Sequence, residues 1–424
     1  MIPNVRGKNT LEQKISAVYI SLIVDVRKMK TQRGGNPMNR SIAALVASVS
    51  VAAFAGTAIA DGHAPKLPRS NVWTAYDLGS SGYAEAAGIA NAFQKKYKAR
   101  VRIIPSGTSI GRLLPLTTGK AQYGYLANEA FFAAEGTYDF AVPEWGPQDL
   151  RIITGRLANV GVATAKDAGI KEISDLKGKR MGFVKGNPSV NVKNDAYLAF
   201  GGLTRDDIQV VWFGSYGAMK TAVIAGQLDA FGSVTTSANM REIEASPRGL
   251  HWPSFHPENK AGWKAITDVV SFAAPGKETR GAALSEANPA WLVGYRYPMI
   301  TTYARTSEDD AYNMIKALDM AFDAYSKTTA SSFNWEVAKA GRPPYDTPAH
   351  DGAIRYMKEK GYWQPEDQAW QDNRLARLNA VIETWDNGQA AFADMRAAEK
   401  AKGNKVGNDA WADFWTDYRA KNLK

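Results

Sequence analysis

From residue 71 onward, short apolar runs alternate with amphipathic stretches, and that rhythm restricts the chain more than any other feature. Residues 71–76, 100–104 and 123–127 have the composition of strands, and 82–97 and 110–118 the spacing of helices. Strand and helix in regular succession predict an α/β fold around a largely parallel sheet, since parallel neighbours need a crossover long enough to hold a helix. Extended segments at 150–153 and 159–163 follow. A second unit then begins, with strands at 180–184, 208–213 and 229–231, helices at 189–200, 216–225 and 236–244, and a return near 250–252. Residues 291–302 read as a strand re-entering the first unit. Residues 308–326 read as a helix with Tyr312, Ile315, Leu318, Met320, Phe322 and Tyr325 mostly on one side. The remainder is helical and carries Trp363, Trp370, Trp385, Trp411 and Trp415.

Residues 38–60 (MNRSIAALVASVSVAAFAGTAIA) combine a short polar start holding Arg40, a small-residue apolar run and a closing Ala58-Ile59-Ala60. That is the three-part pattern of a cleaved secretory signal, and it predicts a periplasmic protein beginning at Asp61. Translation is expected to start at Met38 or Met29, with residues 1–37 an upstream extension. Much of the basic character leaves with the leader. Residues 1–60 hold 8 of the 52 Lys and Arg and 2 of the 42 Asp and Glu, so +10 for the chain becomes +4 for the exported part. No block of Lys and Arg suited to tracking phosphates appears, and nucleic acid is not an expected partner. Cysteine is absent. Disulfides, thiolate nucleophiles, cysteine-held metals and a lipid-anchoring cysteine are therefore excluded, and the exported chain must fold on its apolar core alone.

The expected plan for residues 61–424 is two α/β lobes plus a helical C-terminal extension. Residues 61–155 form the first segment of lobe one, 156–255 lobe two, 256–345 the return to lobe one, and 346–424 the Trp-rich extension.

Helix starts preceded by Gly- and Ser-rich turns recur five times: around Ser80, Ser81, Gly82 and Tyr83, around Ser106 and Ser109, around Ser189 and Asn191, at Gly214 to Tyr216, and around Thr235. In an open α/β sheet the strand ends and the following helix starts share one edge. Unpaired N–H groups and the positive ends of helix dipoles gather there, which suits a small anion such as a carboxylate. Ordinary helix capping explains any one of these turns; five together favour a cleft. Asn128 ends the third strand at the same edge. Arg156 lies near the crossover between units, where it can be a bidentate clamp on a carboxylate or a structural ion pair. Tyr83 and Tyr216 can wall a pocket or belong to the core.

Catalytic patterns are weak. The histidines His63, His251, His256 and His350 are scattered without metal-binding spacing, and neither a G-x-S-x-G elbow nor a phosphate-loop lysine motif occurs. No catalytic residue, metal or cofactor is expected, and the chain is expected not to be an enzyme.

The order of several motifs resembles the TAXI family, the extracytoplasmic receptors of TRAP-type transporters. They are 79–83 (GSSGY), 106–114 (SGTSIGRLL), 118–124 (TGKAQYG), 173–180 (ISDLKGKR), 186–191 (GNPSVN) and 225–231 (AGQLDAF), within a resemblance covering residues 71–330. Asn187, Pro188 and Val190 stand in a turn usually richer in Gly and Ser, and Asn128-Glu129 stands where a Ser-Asp pair is common. The resemblance implies two Rossmann-like lobes with a hinge, as in periplasmic binding proteins of type II, and capture of one small organic acid between the lobes, a dicarboxylate, a 2-oxo acid or a glutamate-like molecule. It further implies delivery to integral-membrane TRAP permease subunits. A receptor for an ABC importer or a membrane sensor, or an enzyme on the same scaffold, remain the alternatives at this point.

Overall fold

Residues 64–423 are described by this computed structural model; the leader and the start sites predicted above lie outside them. Three strand–helix units come first: β1 (Ser70–Ala75) with α1 (Ser81–Tyr97), β2 (Arg100–Pro105) with α2 (Ser109–Thr117), and β3 (Tyr123–Leu126) with α3 (Glu129–Glu135). The first two helices start on side-chain caps. Ser80 accepts from the Tyr83 N–H, and Thr108 from the Gly111 N–H. β1 lies between β2 and β3, parallel to both.

The chain then enters β4 (Leu150–Ala165), a strand of 16 residues, where the sequence suggested two shorter extended pieces. The polar Arg156 and Asn159 and the glycine between the apolar runs hide its continuity, yet its backbone pairs along one partner strand nearly throughout. The second lobe follows: β5 (Arg180–Val184), α4 (Pro188–Phe200), β6 (Gln209–Phe213), α5 (Tyr216–Ile224), β7 (Ala230–Val234), α6 (Ala238–Glu244), β8 (Leu250–His251), α7 (Lys260–Val269) and β9 (Ala274–Glu278). β10 (Ala290–Tyr303) runs back, and helices α8 (Glu308–Tyr325), α9 (Val337–Ala340), α10 (Asp351–Glu359), α11 (Pro365–Ala401) and α12 (Trp411–Asn422) complete the chain.

All ten strands belong to one sheet of order β2-β1-β3-β10-β4-β7-β5-β6, with β8 on β4 and β9 on β10. The two lobes are its two halves, joined by the antiparallel pair β4 and β10. The start of β10 pairs with β9 and its end with β3, while the far half of β4 pairs with β7. The register between β4 and β10 slips between Arg296 and Met299, a bulge at the crossover itself.

Residues 256–289 depart from the expected return to lobe one. The Trp263 and Phe255 rings pack on Phe200 of α4, at 6.0 and 5.0 Å between centroids, so α7 covers the second lobe. The return is made by β10. Strand β9 was illegible because its sequence, APGKE, holds a proline, a glycine and two charges.

The first lobe is packed around Trp73, Phe93, Ile300, Leu318 and Trp335. The C-terminal helices form their own aromatic cluster, in which Trp385 meets Trp411 at 4.8 Å and Trp415 at 4.7 Å. Trp415 also donates its indole N–H to the Gly136 carbonyl at 2.7 Å, which seats the hairpin of α11 and α12 on the first lobe. Among the described residues no helix is long and apolar enough to cross a membrane.

Arg156 and Glu85 form a buried pair beside the β4–β10 bulge, with side chains 2% and 0% exposed. Both Glu85 oxygens take Arg156 donors at 2.6 Å, and each takes one more, from the Ser331 hydroxyl and the Trp335 indole, both at 2.7 Å. Replacing Glu85 by Ala strands a buried guanidinium. We expect Glu85→Ala to lower unfolding stability by about 3–5 kcal/mol; an unchanged urea midpoint would contradict this role.

Candidate functional site

The carboxyl ends of β1, β2 and β3 face those of β5, β6 and β7, and the loops that follow them meet directly. The Ile110 N–H donates to Gly186 O at 3.2 Å, the Tyr216 N–H to Gly107 O at 3.3 Å, and the Asn239 N–H to Gly79 O at 3.4 Å. Side chains join in: Asn187 Nδ2 donates to Gly107 O at 2.9 Å, Ser109 Oγ to Asn187 Oδ1 at 2.8 Å, and the Gly217 N–H to Asp77 Oδ2 at 2.8 Å. The lobes are closed on each other. Gly107 permits this approach, because a Cβ there would stand 2.7 Å from the Ser215 Cβ and 2.8 Å from the Tyr216 backbone nitrogen.

Behind the closed rim lies a cavity of about 40 Å³, space for roughly three water-sized groups. Tyrosines dominate its wall: Tyr76 from the first lobe, Tyr197 and Tyr216 from the second, and Tyr295 and Tyr297 from β10. The Tyr76 ring meets Tyr216 and Tyr297 edge-on at 5.5 and 5.8 Å. The Arg112 guanidinium lies 3.4 Å from the Tyr76 centroid and is held by Glu129 at 2.7 Å. Burial pushes the Tyr76 hydroxyl up to about 12, which keeps it a neutral donor. The Tyr216 hydroxyl lies 2.6 Å from Ser233 Oγ.

Four polar atoms of cavity-lining residues are buried without a hydrogen-bond partner in the protein: Ser81 Oγ from the first lobe, and Asn194 Oδ1, Tyr197 Oη and Ser237 Oγ from the second. Orphaned buried polar groups are uncommon, and four around one cavity mark a place built for a polar molecule. Lys193 is the one cation in the wall. Its Nζ donates to Asn128 Oδ1 at 2.7 Å and Ser189 Oγ at 3.3 Å, and lies 4.6 Å from the Tyr295 ring centroid. Asn128 Nδ2 in turn donates to Asp346 at 3.0 Å. Burial lowers Lys193 to about 7, against the pull of Glu129 and Asp346. Burial likewise raises Asp346 to about 7. This chain of contacts therefore runs across both lobes with its ionisable ends poised near neutrality.

The residues singled out from sequence divide into three groups. Ser80, Ser81 and Tyr216 line the cavity. Ser109 and Asn128 lie just behind it and make lobe-to-lobe contacts, Ser189 accepts from Lys193 on its own helix α4, and Gly82 leaves room for the Tyr297 hydroxyl, 2.9 Å from where its Cβ would be. The others point elsewhere. Arg156 is spent on Glu85, so it is the structural ion pair and not a ligand clamp. Asn191 closes both amide atoms on the Val184 backbone, at 2.9 and 2.8 Å. Ser106 bonds locally to Thr108, and Tyr83 packs on the first-lobe core. Thr235 donates to the Arg280 carbonyl at 2.8 Å, and with Arg156 it borders a separate depression of about 510 Å³.

The sequence did not single out Tyr76, Lys193, Asn194, Tyr197, Tyr295 and Tyr297, and it held Ser233 and Ser237 only as members of the fifth turn. Some signal was present. Tyr295 and Tyr297 are two apart on a strand and so share a face, and Lys193 and Tyr197 are one helical turn apart. Gly107→Ala is expected to hold the lobes apart in a folded protein. Small-angle scattering should then give a larger radius of gyration than for the parent, and equal radii would show that this contact does not govern closure.

The model of the NMT1-like family matches residues 77–361, which extends past the motifs read from sequence and takes in Lys193, Tyr297 and Asp346. Among solved structures, the periplasmic aliphatic sulphonate binding protein SsuA from Escherichia coli is 16% identical, with 82% of this chain and 99% of that one covered and a TM-score of 0.39. The alkanesulfonate-binding protein SsuA from Xanthomonas axonopodis pv. citri, bound to MOPS, is 15% identical over 69% of this chain and 85% of that one, with a TM-score of 0.36. The amino acid ABC transporter substrate-binding protein AbpA from Streptococcus pneumoniae, bound to L-arginine, is 13% identical over 63% and 96%, with a TM-score of 0.37.

Proposed function

We propose that this chain, which belongs to the NMT1-like family, is a periplasmic solute receptor that closes its lobes on one small organic acid and delivers it to a membrane permease. The observation that carries the reading is the set of unpaired buried groups: Ser81 from one lobe, Asn194, Tyr197 and Ser237 from the other, around a cavity whose one cation is Lys193. A ligand that satisfies donors on both lobes is bound more tightly by the closed form than by an open one, and this difference is what drives closure. A carboxylate suits Lys193, and the tyrosine and serine hydroxyls suit the remaining oxygens of a compact dicarboxylate, 2-oxo acid or glutamate-like molecule, whose entry has to widen the closed cavity of about 40 Å³. The likeness of residues 71–330 to TAXI receptors supports a TRAP-type permease as the partner, and the leader pattern at 38–60 supports export.

The test is calorimetric titration of the exported chain with a panel of small organic acids, beside Lys193→Met. The variant should bind the best acid on the order of tenfold or more weakly, as for loss of a charged hydrogen bond. Equal affinity, or binding confined to uncharged solutes, would overturn the acid class. Proton linkage supplies a second check. A bound carboxylate raises the values of both Lys193 and Asp346 above their resting positions near 7, so capture just above pH 7 takes up protons. Well below 7 both groups are already protonated with or without ligand, and the uptake vanishes. Heats measured in buffers of different ionisation enthalpy read this directly, and proton release would contradict it.

A further inference from the structure

A second charged pocket lies away from the cavity, where α11 and α12 fold against α3. Glu135 ends α3 with its side chain 5% exposed, and three guanidiniums converge on it. Arg377 Nη2 donates to it at 2.9 Å and Arg374 Nη1 at 3.3 Å, and Arg419 Nη2 completes the set. These four side chains border a pocket of about 450 Å³ with Thr137, Tyr138 and Ser271, within the range of roughly 300–1,000 Å³ typical of small-molecule sites.

The charges of this wall do not balance: it holds three cations and one carboxylate. The Arg419 Nε is buried and has no hydrogen-bond partner in the protein. The Arg374 guanidinium is stacked 4.9 Å from the Phe131 ring centroid, and burial pulls it below its ordinary value against the support of Glu135 and Asp346. Half-buried cations in excess, one of them with a buried and unused donor, call for a further anion. Guanidinium forks match tetrahedral and planar oxyanions in pairs of parallel bonds. Ser271 comes from the loop after α7 in the second lobe, so a molecule here touches both lobes and the C-terminal helices at once.

We propose that this pocket is a second binding site, for a doubly charged oxyanion: phosphate or the phosphate group of a small monoester. It shares no lining residue with the central cavity. Glu135 occupies part of the arginine field and acts as a built-in competitor, which separates this reading from a purely structural network.

The probe is inorganic phosphate at neutral pH, titrated calorimetrically into the full chain with chloride at equal ionic strength as the reference, followed by glycerol phosphate. Phosphate should bind saturably and chloride should not. Arg419→Gln and Arg377→Gln should each weaken binding about tenfold, the loss of roughly one charged hydrogen bond. Glu135→Gln should tighten it several-fold, a gain that misfolding cannot mimic. Lys193→Met should leave it unchanged. Glycerol phosphate binding as tightly as phosphate would assign the site to monoesters, and weaker binding would assign it to the free ion. The proposal is overturned by an absence of saturable binding at millimolar phosphate, by an affinity that Glu135→Gln lowers or leaves unchanged, or by binding that Lys193→Met abolishes.

Discussion

Glu85 is a carboxylate shut away from water, and the rest of the fold is arranged around satisfying it. Its two oxygens take four donors from two separate parts of the chain: Arg156 on β4, and Ser331 and Trp335 in the segment after α8. Removing two charges from water is costly, and only full hydrogen bonding makes such a pair tolerable. The pair therefore demands that α1, the crossover strand and the segment after α8 be in register together. Arg296 extends the same logic from β10, donating to the Gly155 carbonyl and to Pro344 O. The crossover is thus fixed on the side of the first lobe, which leaves the second lobe as the part that moves.

The cavity shows a different economy of charge. Its polar groups are mostly neutral hydroxyls on large rings, which position a ligand without the solvation cost of many ions. Lys193 is the exception, and it connects through Asn128 to Asp346, beyond the last motif read from sequence. The chain after α8 is accordingly part of the site's support, while α11 and α12 stand further out as a cap on the first lobe.

The alternation of apolar runs was enough to read the α/β class, and most strand and helix positions agree to within a residue or two. What could not be read was decided by tertiary pairing. The sixteen residues of β4 look broken in sequence because Arg156 and Asn159 interrupt the apolar pattern, and only the partner strand restores continuity. β9 has no strand signal at all and exists because β10 offers it an edge. In the site, turn residues were legible as a class, since Gly, Ser and Asn gather where helices begin. Which of them face the cleft was not: Ser81 and Asn191 look alike in sequence, yet one lines the cavity and the other is consumed by the Val184 backbone. Lys193 and the tyrosines were missed because burial is a property of the fold and leaves little trace in composition.

The single sheet has a mechanical consequence. Two antiparallel strands, β4 and β10, are the passage between the lobes, so the second lobe can swing about them without breaking a ladder on either side. Six hydrogen bonds at the rim lie at the far end of that lever, where a small rotation separates them all at once. To anything that touches the rim from outside, the closed lobes present one continuous surface, which exists only while these bonds hold.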